Sequence, residues 1–587
     1  MTWRTLLRDT KPFRKRIMLG QAVAVLAVAI SLPVPLLFPL LVDQVLLHKP
    51  AQLTQLIDTL FAPGAPWGYI VVVLMTTLFL RALFVVANVF QSRLFTIISK
   101  HLVFLIRKRI LEHLRRVSVA EYEALGGGGV SARLVTDIDT VDAFIGVSIG
   151  RFFVSALSLA GVAGILLFIN WQLALIILLL NPAVVGLTTW LGKKVRKLKK
   201  RENQKIERFQ NRLSETLDLF VQIRTYNQEK HYIDSMIDDA RGIKNASTQF
   251  GWKSEAAGQL SSLLFLSGFE FFRAASMLMV LFSSLSIGEM FAVLGYLWFM
   301  VTPLQDMLQI IFSYQNATAA LERLNALLCL EREPQYPHEQ DPFEGKFTNA
   351  LSLEHVSFGY GKKRVLHDIS MTVGTGKTVA LLGHSGSGKT TLAQLILGLY
   401  APQEGRINID DIPTERIGLD VIRDHIALVL QTPKMFNDTL RRNLTLGREL
   451  PDEKLYDVLH VAQLDEVVAK LTDGLETMIG KDGIRLSGGE RQRLAIARML
   501  LHAPNVIILD ESTSALDVQT ESHLFTSLRD YLRGKTTLII AHRLSTVEHA
   551  DYVYFLDGGR IVEAGTPAEL MKKEGFYRRF VSGQQPK

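Results

Sequence analysis

Val379-Ala-Leu-Leu-Gly-His-Ser-Gly-Ser-Gly-Lys-Thr-Thr391 reads as an apolar strand, a glycine-rich loop and the start of a helix. From Gly383 the spacing is G-x-x-x-x-G-K-T, closing on Gly388, Lys389 and Thr390, and each residue type has a physical task. Glycines let backbone N–H groups turn inward on an anion, and the following helix N-terminus adds its partial positive charge. Lys389 can reach the outer phosphates and the Thr390 hydroxyl can hold Mg²⁺. The stretch therefore predicts a nucleotide cradle built from Gly383, Ser385, Gly386, Gly388, Lys389, Thr390 and Thr391. The strand-to-helix order places it in an α/β domain.

The rest of the chain is too long for that domain alone. At 587 residues the length corresponds to about three or four units. Hydrophobic residues make up 48% and charged residues 21%, which is apolar for an enzyme and polar for a protein that is all membrane. A hybrid of the two is expected. The net charge is +8, yet the Lys and Arg residues cluster beside apolar runs instead of forming one basic domain, which points to membrane topology and away from nucleic acid. Cys329 is the only cysteine, so no intrachain disulfide can form. The first apolar run is too long for a signal-peptide core and is expected to be retained.

Apolar runs at about Ile17–Val45, Tyr69–Val89, Phe152–Ile169, Leu173–Leu191, Leu260–Phe282 and Phe291–Ile311 are each long enough to cross a bilayer as a helix. Pro33, Pro35 and Pro39 predict a kink in the first. Ahead of it, Trp3, Leu6 and Leu7 at helical spacing among Arg4, Arg8, Lys11, Arg14, Lys15 and Arg16 suit a short helix on the cytoplasmic face. Basic residues fall at the N-terminus, in the 93–133 and 193–253 connections and on the C-terminal side, whereas 46–68, 170–172 and 283–289 hold almost none. The positive-inside rule puts both chain ends and the long connections in the cytoplasm. Those connections are helically patterned and are expected to project below the membrane, closed by short turns near Ser118 to Gly129 and Phe220 to Asp234. Glu331 to Asn349, rich in Glu, Pro and polar residues, reads as a linker. The expected domains are residues 1–330 in the membrane, 331–349 as linker and 350–587 as the nucleotide domain.

Within 350–587, Val506-Ile-Ile-Leu-Asp510 delivers two acids, Asp510 and Glu511, at the end of a buried strand. That edge is where open α/β sheets bind ligands. Asp510 suits a Mg²⁺ ligand and Glu511 a group that polarises attacking water. Leu486-Ser-Gly-Gly-Glu490 opens a good helix and forms a second anion-binding N-terminus. In this order, the phosphate loop, Leu-Ser-Gly-Gly-Glu490, Ile-Leu-Asp-Glu511, Ser-Ala-Leu-Asp517 and Ala-His542-Arg resemble the ATP-binding cassette of ABC transporters.

The resemblance implies that two cassettes pair head to tail, each holding ATP and Mg²⁺ between its own phosphate loop and the partner's Ser487, Gly488, Gly489 and Glu490. It implies that Tyr360 stacks on adenine, that Gln431 senses Mg²⁺ and contacts the membrane domain, that Asp517 crosses the dimer interface and that His542 contacts the γ-phosphate. Taken singly, Tyr360 reads first as a strand-edge aromatic, Gln431 as a solvated loop residue and His542 as a satisfied histidine, and it is their joint order that reverses this. Two departures stand out: Glu490 replaces the usual glutamine, and Lys481 stands where related exporters carry an acid. Because Glu511 and His542 are both present, two identical copies would form two competent sites, which favours a homodimer over a heterodimer.

One membrane domain fused ahead of one cassette is similar to the half-transporter form of the exporter fold that moves drugs and lipids across bacterial membranes. The expected fold is an all-α polytopic membrane domain of six transmembrane helices with long cytoplasmic extensions, plus an α/β P-loop cassette. The expected function is ATP-driven export of amphiphilic small molecules or lipids from the bacterial inner membrane by alternating access. An importer of a metal chelate or peptide, and a nucleotide-gated channel, are the alternatives. Polar residues inside spans are the candidates for cargo contact, because burying a charge there costs about 3 kcal/mol or more: Arg81, Asn181, Glu270, Arg273, Gln305 and Asp306. Glu270 and Arg273 lie three residues apart, so they either pair with each other or line a cavity.

Overall fold

The computed structural model describes residues 2–47, 52–61, 66–283, 285–361, 363–481, 483–541, 547 and 550–582, and side chains at several helical positions, among them 177–185 and 187–189, lie outside that description. The chain divides into two compact units, residues 1–114 with 128–329 and residues 115–127 with 330–587.

The first unit is helical throughout its described residues. Helix α1 (Trp3–Asp9) begins with a capping box between Thr2 and Thr5. Helix α2 (Arg14–Ser31) stops at the prolines, and α3 (Val34–Leu41) resumes with Pro39 inside it before a wide turn at Val42–Leu46. The predicted kink is an interruption of the helical hydrogen bonding at Leu32 and Pro33, whose backbone angles stay helical, as expected where a proline removes a donor and crowds the preceding turn. Then follow α4 (Gln52–Phe61), α5 (Pro66–Leu114), α6 (Val119–Ala132), α7 (Ile138–Ala143), α8 (Ile149–Ile169), α9 (Trp171–Asp218), α10 (Phe220–Thr225), α11 (Glu229–Phe282) and α12 (Ile287–Leu328).

At 49 residues, α5 is about 74 Å long, more than twice the about 30 Å of a hydrocarbon core. It leaves the bilayer without interruption. The polar halves of α9 and α11 pair through Arg212–Asp239 at 2.8 Å and Arg208–Asp239 at 3.4 Å. Among the described residues five helical stretches are long and apolar enough to cross a membrane: Lys11–Leu46, Pro66–Leu114, Gly129–Ile169, Glu229–Phe282 and Ile287–Leu328. The remaining expected span, Leu173–Leu191, lies on α9, where most of its side chains are outside the described residues. Asn170 makes the tight α8–α9 turn, its side-chain oxygen accepting from the N–H groups of Gln172 and Leu173. Around Phe272 and Tyr296, both buried, α8, α9, α11 and α12 share one core. Gly126 to Gly129, expected as a turn, are helical within α6, although each glycine costs a helix about 1 kcal/mol.

The second unit holds two principal sheets. Strands β1 (Leu351–Tyr360), β2 (Lys363–Val373), β4 (Glu404–Ile409) and β5 (Ile412–Pro413) form an antiparallel sheet in the order β2-β1-β4-β5. The other sheet contains β3 (Thr378–Gly383), β6 (Ile426–Val429), β9 (Val506–Asp510), β10 (Thr536–Ile540), β11 (Tyr552–Asp557) and β12 (Arg560–Gly565), and β7 (Asp438–Thr439) with β8 (Met478–Ile479) make a small ribbon. Its order is β12-β11-β3-β10-β9-β6, parallel except for β12. Strands β9 and β10 are buried along their length and β3 from Val379 onward, so none shows the alternation of a half-exposed strand. Glu331 to Asn349 runs against this unit: Glu333 pairs with Arg423 at 2.5 Å, and Phe343, 2% exposed, stacks on His425.

Candidate functional site

Parallel neighbours β3, β10, β9 and β6 end at one edge, and each continues into a segment singled out by its residues. Beyond β3 comes the phosphate loop, which leads into α13 (Lys389–Ile396); beyond β9 comes Glu511, and beyond β6 comes Gln431. His542 follows β10 in sequence and lies outside the described residues. A pocket of 340 Å³ gathers Ser385, Gly386, Gly388, Lys389, Thr390, Thr391, Gln431 and Glu511. A topological edge of this kind brings together residues more than a hundred positions apart.

Gly383 and Gly388 are required by the fold as well as by any anion. Their φ angles are +152° and +105°, and a Cβ would lie 2.1 Å from the Leu556 carbonyl oxygen at the first and 2.6 Å from Leu366 at the second. Lys389 is 5% exposed and its ammonium donates to the carbonyls of Gly383 at 2.9 Å and His384 at 3.0 Å, so it curls over the loop. Burial lowers its pKa, opposed by the charges of Glu511 and Asp510.

Asp510 is 1% exposed, and apart from an approach by the Thr390 hydroxyl its carboxylate makes no hydrogen bond of good geometry among the described residues. Burial pushes its pKa up, with the like charge of Glu511 adding and the Thr390 hydroxyl and Lys389 opposing. A buried carboxylate with so little hydrogen bonding is costly unless a cation shares the site, so the residues fit Mg²⁺, which Asp510, Thr390 and Gln431 would hold. When bound, that ion would neutralise phosphate charge.

Glu511 adopts a left-handed backbone, φ +45°, uncommon outside glycine. Its N–H donates to the Ile540 carbonyl at 3.1 Å, and its carboxylate accepts from the Gln431 side-chain amide at 2.6 Å. Glu511 lines the pocket, with one carboxylate oxygen held by Gln431.

Helix Gly488–His502 starts at Ser487 with a capping box: Ser487 Oγ accepts from the Glu490 N–H, and Glu490 Oε2 accepts from the Ser487 N–H at 2.6 Å. Glutamate closes this box as glutamine would, which accounts for Glu490 at that position. Gly488 and Gly489 are the first two residues of that helix, whose amides have no intrahelical acceptor. At Gly489 a Cβ would lie 2.8 Å from Leu516, so glycine is also what lets the helix approach the 512–517 loop. Asp517 caps helix Val518–Leu532, accepting from the N–H groups of Gln519 and Thr520 and from the Thr520 hydroxyl. Tyr360 is 44% exposed, with its hydroxyl 3.3 Å from Thr391 Oγ1. Lys481 is exposed and, with Lys434, Arg485 and Arg491, lines an open pocket of 650 Å³ beside Gln431.

Gln492 escaped the sequence reading. It is 2% exposed; its amide N–H groups donate to the carbonyl of Gln431 at 2.9 Å, Ser514 Oγ at 3.1 Å and the carbonyl of Glu511 at 3.4 Å, and its oxygen accepts from the Ala515 N–H at 3.0 Å. The signal was present: Gln492 shares a helical face with Ile496 and Met499, and a polar residue at a core position needs partners.

In the first unit Glu270 and Arg273 pair at 2.5 Å, both about half exposed. Ser155, buried, donates to Asp306 at 3.0 Å. Arg81 and Gln305 are exposed, and the Asn181 side chain lies outside the described residues.

Comparison with known proteins agrees with this geometry. Residues 20–304 match the ABC transporter transmembrane region and residues 366–514 the ABC transporter domain. An ABC transporter ATP-binding protein of Bacillus subtilis (strain 168), YwjA, is 31% identical over 545 residues, 92% of this chain and 94% of that one. The ATP-dependent lipid A-core flippase of Legionella pneumophila (strain Paris) is 29% identical over 500 residues, 84% of this chain and 83% of the relative. A bacterial Atm1-family ABC exporter solved with ATP bound superposes with a TM-score of 0.80 at 23% identity, over 98% of this chain and 99% of that one, so the fold is shared. A single membrane domain joined to a single ATP-binding domain makes the chain a multi-pass half-transporter, a form that dimerises in the bilayer. With membrane domain and cassette both matched and a relative covered almost end to end, the chain belongs to the ABC transporter family.

Proposed function

We propose that the protein is a homodimeric, ATP-driven exporter of amphiphilic small molecules or lipids, working by alternating access in a bacterial inner membrane with both termini in the cytoplasm. The observation that carries the engine is the strand edge: Lys389, Thr390, Gln431 and Glu511 line one pocket, and Asp510, buried at the end of β9, immediately precedes Glu511 in the chain. Lys389 binds the outer phosphates, Glu511 takes the proton of attacking water, and His542 contacts the γ-phosphate. Ser487, Gly488 and Gly489 offer a second set of donors at a separate helix start, which suits a second copy's ATP; Asp517 lies at that junction.

For the cargo, support comes from the relatives named as lipid A-core flippases. Further support comes from polar groups within apolar helices: Arg81, Asn181, Glu270, Arg273, Gln305 and Asp306 would face a cavity, since lipid would not solvate them. A pair of cassettes closing on ATP would move the helices continuous with the cytoplasmic connections and turn that cavity outward.

Transport into inside-out vesicles with a panel of lipids, dyes and thiol conjugates tests direction and cargo together. ATP-dependent accumulation, lost in Glu511→Gln, is expected. ATP-dependent depletion of preloaded vesicles would make the protein an importer, and ion conductance without accumulation would make it a channel.

A further inference from the structure

Residues 115–127, the tip of the first cytoplasmic connection, belong to the same compact unit as the cassette. Backbone bonds hold them there: Ser118 N–H to the Glu331 carbonyl at 3.0 Å and Glu333 N–H to the Arg116 carbonyl at 2.8 Å. A separate side-chain contact joins Glu123 to Tyr400, whose hydroxyl donates to Glu123 Oε2 at 2.5 Å. Tyr400 is 8% exposed. Burial, then the Glu123 carboxylate, push its pKa well above the usual phenol value, so it remains a donor at any physiological pH.

The ring of Tyr400 has a second neighbour. It stands perpendicular to the Tyr360 ring, centroids 5.4 Å apart, and tilted against Phe358 at 5.5 Å. Tyr360 in turn reaches the first turns of α13 through Thr391 Oγ1 at 3.3 Å and Gln394 Oε1 at 3.2 Å. Perpendicular aromatic pairs add about 0.5–1.5 kcal/mol beyond area burial and fix ring orientation. Tyr400 therefore backs the ring on which a base would stack, while its hydroxyl is committed to the loop.

We propose that Tyr400 is a positioning residue linking base occupancy at Tyr360 to docking of residues 115–127 through Glu123. The proposal rests on the reading of Tyr360 as the adenine platform. Binding linkage is reciprocal: whatever the Glu123 contact contributes to the base site, the base contributes equally to holding the loop. Because the loop continues directly into α5 and α6, this gives nucleotide identity, and not phosphate charge alone, a route toward the membrane helices. The backbone bonds at Ser118 and Glu333 stay intact when the hydroxyl is removed, so the test variants keep the loop attached.

The test uses the full-length protein in lipid nanodiscs with EDTA, so that binding is read without turnover. Calorimetry compares ATP with inorganic triphosphate, which carries the phosphates and no base. Tyr400→Phe is expected to weaken ATP about fivefold and leave triphosphate unchanged, and Glu123→Gln, which keeps a carbonyl acceptor, recovers most of the affinity that Glu123→Ala loses. ATP, and not triphosphate, should slow hydrogen exchange of residues 115–127, and Tyr400→Phe should abolish that protection. Equal weakening of both ligands, or no change in either, would overturn the proposal. Tyr360→Ala separates the underlying reading: if it spares ATP relative to triphosphate, the adenine platform itself is wrong and the link falls with it. If Tyr360→Ala weakens ATP selectively and Tyr400→Phe does not, the link alone fails.

Discussion

The side-chain amide of Gln431 donates to the Glu511 carboxylate at 2.6 Å, so the loop after β6 orients the acid after β9. The bond holds the Glu511 carboxylate beside the loop after β6, where the proposed function has it act as the base. Glu511→Gln keeps the size of the side chain and removes the base. General-base removal costs about 10²–10⁴-fold in rate, so turnover in lipid should collapse by at least about a hundredfold while ATP still binds. Undiminished turnover would exclude Glu511 as the base.

Gln492 holds the backbone on both sides of that bond. Its amide reaches the carbonyls of Gln431 and Glu511, yet it lines no part of the phosphate-loop pocket. Gln492→Met keeps the chain length and loses every one of these hydrogen bonds, taking the donor away from the Gln431 and Glu511 carbonyls. Misplacing Glu511 by this route should lower kcat about tenfold, equal to about 1.4 kcal/mol, with KM for ATP nearly constant. Steady-state kinetics separate the outcomes: a rise in KM at constant kcat would assign Gln492 to nucleotide binding and not to positioning.

In the first unit, Asp43, in the wide turn after α3, accepts from the Ser286 hydroxyl at 2.5 Å and from the Gly288 N–H at 2.9 Å, capping α12. Losing such a cap costs about 1 kcal/mol. Gly288→Ala should cost more, since its Cβ would lie 2.4 Å from the Pro39 carbonyl oxygen, and overpacking of this kind costs about 1–3 kcal/mol. Thermal unfolding in detergent is therefore expected to rank native above Asp43→Ala above Gly288→Ala. A Gly288→Ala protein as stable as the native one would show that this approach relaxes freely.

What could be read from the residues was what short-range chemistry dictates. The phosphate loop needs only the chain from Thr378 to Ile396, and the acids Asp510 and Glu511 announce themselves by the strand before them. Contacts between distant segments were not legible. Gln492 bonds to residues 61, 19 and 22 positions away, and Tyr400 to a residue 277 positions away. Asp517 shows a limit of another kind, because an aspartate before a helix is a cap in this unit whatever it does across a dimer. The position of the closing turn was also misjudged: it was expected near Ser118 to Gly129, and the chain is helical from Val119 through Gly126 to Gly129.

Glu270 and Arg273 leave the question of cargo open to a direct experiment. Their ion pair on α11 is formed, at 2.5 Å, while both side chains stay about half exposed. Each charge left alone in a span would cost about 3 kcal/mol, so Glu270→Gln, which strands Arg273, should lower both membrane insertion and the unfolding midpoint. Swapping the pair, Glu270→Arg with Arg273→Glu, restores a partner at the same spacing and should recover both. Transport is the discriminating readout. If the exposed halves of the pair touch cargo, the swapped protein will be stable yet altered in its preference between anionic and cationic amphiphiles. If the pair only neutralises itself within the helix, the swapped protein will transport both as the native one does.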